Sequence, residues 1–375
     1  MRGTPASGSL RSRAVRIALT HAFCWPEVRR GAERFMPGLG AALVRRGHEV
    51  VHFSSAWDHG AEVVDGVTTI KLRRRLEDQY RHEADFGRRL LPRLLLGRFD
   101  AVHSLGRHDA VASTRAARLH PGRRTVFTDL GLPIPAYWEE EGRREARAVR
   151  KVVAGIDVYS GMSQLAVDNL ADNYGRGDGV VVPGGVSLES FVPAAAREPE
   201  PTILFSGAIT EPRKGVPVLL HALPLVAERE PGVQLWLSGP GDSSEMLAAG
   251  PPEARTRTHA LGLGEATAQH ERYGRAWVTC LPSMYDSFGM ALIESLACGT
   301  PLVTTTHGAP PELVTRGVTG EVCEPNDPGD LARALLEAIE LARRQETVQA
   351  CRSSAERFDW DKGLAPLCER IYAGG

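Results

Sequence analysis

Two carboxylates eight residues apart, Asp286 and Glu294, bracket the stretch of this chain best suited to chemistry, LPSMYDSFGMALIESLACGTPLVTT at 281–305. The pattern predicts an apolar strand at 277–281, a polar turn at 282–289, a helix at 290–298 and a second strand at 301–305. Asp286 falls just before the helix and Glu294 one turn inside it. The first N–H groups of a helix have no partner within the helix, and the dipole favours negative charge there. The backbone of Phe288, Gly289 and Met290 is therefore suited to an anion such as phosphate. A carboxylate at Glu294 can accept hydrogen bonds from a pair of sugar hydroxyls, so the segment reads as a holder for a sugar nucleotide. Strand, turn, helix and strand is also the ordinary unit of any α/β domain, with acidic residues as helix caps.

Further candidates stand where strands are expected to end. A strand at 202–208 runs through Gly207 into the turn ITEPRKG, which places Arg213 and Lys214 before a helix at 216–230. With 41 Arg and only four Lys in the chain, a lysine here stands out, and an ammonium is a compact point charge suited to phosphate. It is equally a surface turn residue. Gly31 opens a helix expected to reach about Arg46; it lets a ligand approach the backbone closely, or simply starts the helix. Arg29 and Arg30 add positive charge beside it. Strands at 99–107 and 125–133 carry His103 and Asp129 to the carboxyl edge of a sheet, where open α/β folds bind ligands. These two are acid–base or orienting candidates, with hydrogen bonding to nearby backbone as the other reading of His103. Ser163 is an expected N-cap of a helix in 155–175 and is counted, with Gly207, among the candidate sugar-nucleotide contacts.

The chain of 375 residues, 42% hydrophobic, suffices for two cores of roughly 150 to 200 residues. Short apolar strands alternate with helical stretches from end to end, which predicts an α/β fold with parallel sheets. No G-x-G-x-x-G follows the first strand, so the dinucleotide fingerprint is missing. The domains are expected at 14–193 and 202–357, with the small-residue, Pro-containing stretch 194–201 as linker and 358–375 as a final helix. Residues 1–13 lack the apolar middle of a signal peptide and read as a disordered lead-in. No apolar run approaches the ~18 residues of a membrane span. The six cysteines form no C-x-x-C pair and read as free thiols of a reducing cytoplasm. Residues 1–190 carry 29 Lys+Arg against 22 Asp+Glu, a net of +7, and residues 191–375 carry 16 against 24, a net of −8. The basic half suits an anionic membrane or acidic acceptor, or is a solvated, salt-laced surface. No aromatic-basic motif points to nucleic acid. Asp359-Trp360-Asp361 matches a D-x-D metal signature, but at a helix start it reads as capping.

Taken together these motifs resemble a family. PGGVSLESF (183–191) is similar to P-N-G-V-D-x-x-x-F, and DSFGMALIESLACGTPLVTT (286–305) to E-G-F-G-x-x-x-x-E-A-x-A-x-G-x-P-V-V, both of the retaining GT-B glycosyltransferases of family 4. VTGEVCEPNDPGDLARAL and the first-half RRGAERFMPGLGAALVRRGHEV also resemble that family's blocks. The resemblance implies two Rossmann-like domains facing a cleft, a final helix crossing back to the first domain, and retaining transfer of a hexose-type sugar from a nucleotide-sugar to a hydroxyl acceptor. A UDP-linked donor is the leading expectation, with no cofactor and no metal required. It implies that Glu294 holds the ribose, Asp286 the donor sugar, Phe288 to Met290 sugar and phosphate, and Lys214 with Arg213 the departing diphosphate, while Gly31 lets the first-domain loop close over it. The free thiols and the charge distribution set the expected location: cytoplasmic, peripheral to the inner face of the membrane if the basic half docks there. The departures are Asp286, one methylene shorter than the family's Glu; Ala208, where the family has Arg after the strand glycine Gly207; and Thr128 or Asp129, where it has an acceptor-side histidine. A GT-B epimerase or phosphorylase, or a non-catalytic sugar-nucleotide-binding subunit, are the alternatives.

Overall fold

A computed structural model describes residues 14–28, 31–135 and 142–374. The lead-in 1–13 and the pair Arg29 and Arg30 lie outside the described residues. The first domain contains β1 (Arg16–Thr20), β2 (Glu49–Ala56), β3 (Gly60–Val64), β4 (Val67–Arg73), β5 (Ala101–Ser104), β6 (Arg124–Asp129), β7 (Val158–Gly161) and β8 (Val180–Val181). Among the described residues they form one sheet in the order β3-β4-β2-β1-β5-β6-β7-β8. All neighbours run parallel except β3, which folds back on β4 through Asp65 and Gly66, both at positive φ (50° and 78°) as a tight hairpin turn requires. The second domain contains β9 (Thr202–Ser206), β10 (Gln234–Ser238), β11 (Thr258–Gly262), β12 (Val278–Leu281), β13 (Leu302–Thr305) and β14 (Gly320–Cys323). They form a wholly parallel sheet in the order β11-β10-β9-β12-β13-β14.

Central strands buried on both faces explain the continuous apolar runs in the sequence. Ile203, Leu204 and Phe205 of β9 are fully buried, as are Ile17, Ala18 and Leu19 of β1. Both sheets reverse order beside their first strand, a switch point where the carboxyl edge opens a crevice.

The chain passes between the domains twice, and the two passages are paired. Val186 N donates to Phe358 O at 2.9 Å, and Trp360 N donates to Val186 O at 3.2 Å. Packing moves the change-over earlier than the 194–201 linker expected from composition, because Val186, Leu188 and Phe191 already belong to the second domain's core. Residues 194–201 contain no helix or strand. They are fastened to the second domain, where Arg197 Nη1 donates to Ala276 O at 2.6 Å and the Trp277 indole donates to Glu198 O at 2.8 Å. After the second passage, Trp360, Leu364, Cys368, Ile371 and Tyr372 pack into the first domain's core. Asp359 is a cap: its Oδ1 accepts from the N–H groups of Asp361 and Lys362 at 3.1 and 2.9 Å.

Trp360 sits where these passages meet. Its ring packs edge-on against Phe35 at 5.6 Å, and a Cβ on Gly38 would come within 2.6 Å of it. Trp360→Ala therefore empties a closely fitted hinge and should cost about 3–5 kcal/mol. Urea denaturation should show the loss as a lower midpoint.

Candidate active site

The helix predicted after the polar turn spans Met290–Ala297. Its N-cap is Gly289 at φ 105°, and no side chain caps it. A residue with a Cβ would be strained at that φ, so glycine leaves the helix start bare of side chain as well as correctly bent.

Asp286, in the turn before this helix, faces Arg213 and Lys214. Lys214 Nζ lies 2.5 Å from Asp286 Oδ2 and Arg213 Nη1 3.0 Å from Oδ1. The two cations come from a short turn, Pro212–Lys214, that closes on Gly215 at φ 73°. Only glycine fits there, since a Cβ would strike the Pro282 carbonyl. The turn is also bonded to the Asp286 loop by Met284 N donating to Arg213 O at 2.8 Å. Burial disfavours the Arg213 charge, but Asp286 and Glu211 more than offset it, so its pKa is raised. Arg213 is thus brought to Asp286 from the longer turn, while Ala208 contributes no charge.

Glu294 is 4% exposed and held from two sides. Arg34 of the first domain donates from Nη2 to Oε1 at 2.6 Å, and the Tyr273 hydroxyl donates to Oε2 at 2.8 Å. The Glu294 charge raises the Arg34 pKa, and burial together with Glu294 lifts that of Tyr273 well above its ordinary value. Gly31 starts the helix Gly31–Arg45 that carries Arg34. A Cβ on Gly31 would come 2.9 Å from Met290 Cγ, and Gly184 is packed on Met290 and Phe288 as well. Met290 is therefore wedged between two first-domain glycines. The Phe288 ring is buried against Phe358 at 5.8 Å, near the second passage. Ser287 Oγ donates to Leu130 O at 2.6 Å, a further tie between the domains.

The first-domain candidates are placed differently. His103 is fully buried, with Nδ1 2.7 Å from the Tyr372 hydroxyl and Nε2 2.7 Å from Thr128 Oγ1. Both ring nitrogens are used inside the core, so His103 pins the final helix rather than offering an acid or base at the sheet edge. Asp129 is also buried: Oδ1 accepts from Gly131 N at 2.9 Å and Oδ2 from the Tyr159 hydroxyl, while burial raises its pKa. It shapes the loop whose Leu130 meets Ser287. Ser163 caps the helix Gln164–Tyr174, accepting from Ala166 N at 3.2 Å. The anion at that helix start is the second domain's Glu312, which accepts from Gln164 N at 2.8 Å and Leu165 N at 2.9 Å. At Ser163, expected as a sugar-nucleotide contact, the neighbouring helix-start N–H groups thus serve Glu312. Gly207 donates its N–H to Ser238 O at 2.9 Å and serves the strand end. Among the described residues no group of three His, Cys, Asp or Glu gathers to hold a metal ion, and all six cysteines are buried free thiols.

Arg34 and Tyr273 were not singled out from sequence. Arg34 lies within RRGAERF, but its partner is 260 residues away, and no local spacing announces that. Tyr273 carries no motif.

Two family models tile the chain. The model of Glycosyltransferase Family 4 matches 29–190, and that of Glycosyl transferases group 1 matches 188–358. Together the two matches cover 29–358 and identify a glycosyltransferase of GT-B type. Sucrose-phosphate synthase from Thermosynechococcus elongatus superposes with a TM-score of 0.81 at 21% identity, covering 96% of this chain and 99% of that one. Anabaena Alr3699/HepE in complex with UDP-glucose superposes with a TM-score of 0.72 at 17% identity, covering 96% and 100%. In sequence, a phosphatidyl-myo-inositol mannosyltransferase of Mycobacterium tuberculosis is 34% identical over 228 residues, 56% of this chain and 59% of that protein. The chain thus spans less than two thirds of that relative's length.

Burial lowers the His103 pKa to about 3, against ~6.5 in an unfolded chain. Between those values the unfolded state binds the extra proton, so the stability from neutral His103 is complete above pH ~6.5 and falls as pH drops toward 3. His103→Gln should lower the urea midpoint at pH 7 yet make its decline between pH ~6.5 and ~4 shallower than the parent's, the rest of the profile being set by other shifted groups such as buried His52, also held at about 3, and Asp109, which burial raises to about 6 and which acts with the opposite sign. Its nucleotide affinity should match the parent's.

Proposed function

We propose that the chain is a retaining, metal-independent transferase moving a hexose-type sugar from a UDP-linked donor to a hydroxyl acceptor. The observation that carries this reading is the cluster of Arg213, Lys214 and Asp286 beside the uncapped start of Met290–Ala297. Breaking the glycosidic C–O bond builds negative charge on the leaving diphosphate. Fixed cations and helix N–H groups aimed at that charge are worth roughly 3 kcal/mol for one strong donor. In this reading Lys214 and Arg213 leave Asp286 in part to meet the diphosphate, freeing the Asp286 carboxylate for donor-sugar hydroxyls. The leaving phosphate itself helps deprotonate the acceptor on the same face, so the burial of His103 and Asp129 removes no required base. The UDP-glucose complex of the Anabaena structural neighbour supports the choice of nucleotide. The mannosyltransferase relative supports a sugar transfer without naming this chain's acceptor.

Calorimetric titration with UDP, GDP, ADP and dTDP tests the donor. Micromolar binding of UDP, near −8 kcal/mol, is expected, and Lys214→Ala should weaken it about 10- to 100-fold. Absence of binding by all four would remove the donor-site reading. With UDP-glucose and no acceptor, slow donor hydrolysis should release the α anomer first in an NMR time course; the β anomer would rule out retention.

A peripheral contact with an anionic membrane, at its inner face, is the second part of the proposal. The helices Gln79–Leu96, Arg107–Ala117 and Arg143–Gly155 enclose a groove of about 400 Å³ lined by Arg88, Arg115, Arg143, Arg144, Arg147 and Lys151. Among the described residues no carboxylate pairs with Arg115, Arg143, Arg144, Arg147 or Lys151. Glu139, Glu140 and Glu141, just before them in sequence, lie outside the described residues. Leu96, at the end of the first of these helices, and Leu119, just past the end of the second, are 87% and 72% exposed. Cations with exposed leucines suit a lipid surface, each cation contributing about 1 kcal/mol near anionic headgroups. Sedimentation with phosphatidylserine-containing vesicles should exceed that with neutral vesicles, and R143E/R144E/R147E should abolish the difference.

A further inference from the structure

The carboxylate expected to meet the ribose is already engaged by the other domain. Glu294 Oε1 is 2.6 Å from Arg34 Nη2, and Oε2 is 2.8 Å from the Tyr273 hydroxyl, which itself lies 2.9 Å from Ser206 Oγ. A glutamate carboxyl turns easily about its last torsion. Two donors, one on each oxygen, remove that freedom. A carboxylate offers about four lone-pair sites, so one remains on each oxygen after Arg34 and Tyr273 are served. Two adjacent acceptors in one plane match a vicinal diol. Arg34 suits the task as a planar fork whose charge stays on. The Trp25 ring lies under its guanidinium at 5.8 Å, which limits where the fork can swing. Its helix is held on the second domain by the Gly31 contact with Met290.

We propose that Arg34 is a positioning residue for nucleotide recognition: it orients Glu294 across the domain boundary so that the carboxylate selects ribose over 2′-deoxyribose. The proposal rests on the donor-site reading of Glu294. It makes ribose selection a property of the assembled domains, because the orienting cation and the carboxylate belong to different ones.

The test is calorimetric, on the full chain, with UDP, 2′-deoxy-UDP and inorganic pyrophosphate. The parent should bind UDP at least about 10-fold more tightly than 2′-deoxy-UDP, the worth of one hydrogen bond to a charged group. Arg34→Ala should bring that ratio within about 3-fold of unity while pyrophosphate affinity holds, because pyrophosphate has no diol. Should Arg34→Ala not fold, Arg34→Lys carries the same test: it keeps the charge, loses the fork and should lower the ratio. An undiminished ratio in the Arg34 variant overturns the proposal, as does tighter UDP binding, which would make Arg34 an occupant that ribose must displace. Glu294→Gln separates the two levels. A parental ratio in that variant removes the donor-site reading of Glu294 itself, whatever Arg34 does.

Discussion

The structure depends on one constraint, the pairing of two chain passages between the domains. Val186 donates its backbone N–H to Phe358 and accepts from Trp360 on the second passage, and the Asp359 carboxylate accepts from the Leu188 N–H at 3.2 Å. Without that pairing each sheet would remain a sound α/β domain, since each has its own core. What the pairing adds is orientation. The loops that meet across the boundary follow carboxyl ends of strands: the loop after β6 carries Leu130 to Ser287, and the segment after β1 leads to the helix that carries Arg34 to Glu294. Glycines at Gly38 and Gly185 let the Trp360 ring lie close to backbone on both sides, so the hinge is packed tightly enough to fix the geometry of everything above it.

The electrostatics of the site follow from burial. An unpaired charge in a dry interior is costly, and a carboxylate is kept only with partners that satisfy its lone pairs. Both carboxylates of the site obey this. Asp286 has Arg213 and Lys214; Glu294 has Arg34 and Tyr273. These pairings differ in what they leave available. Arg213 and Lys214 share Asp286, with Glu211 also on Arg213, so the two cations are balanced here and can turn to a diphosphate only by giving up part of those pairings. A single cation and a hydroxyl on Glu294 balance it with acceptor capacity to spare. The helix start at Gly289 lies between them and adds oriented N–H groups without a side chain in the way.

Much of this was legible in the sequence, for a physical reason. Strands buried on both faces must be continuously apolar, and helices that cover them must be amphipathic, so alternation of the two patterns specified parallel α/β domains. Turns that need positive φ demanded glycine at Gly215 and Gly289, and a helix start that accepts an anion needs no side chain. These are local requirements, and local sequence records them. The spacing from Asp286 to Glu294 and the Arg213-Lys214 pair belong to the same class, because each group sits within a few residues of the turn that aims it.

What only the tertiary structure decided involves partners distant in the chain. His103 and Asp129 end strands at a sheet's carboxyl edge, as sequence suggested, but whether a polar group there meets solvent or core depends on what covers it. Tyr372, 269 residues away, covers His103, and Tyr159 from the neighbouring strand takes Asp129. Ser163 opens a helix whose anion turns out to be Glu312. The domain change-over fell at Val186 rather than in the 194–201 stretch because apolar packing, and not composition, sets where a core ends. Arg34 reached Glu294 for the same reason: a side chain's type is written locally, whereas its partner is set by how two separately folded sheets are held against each other.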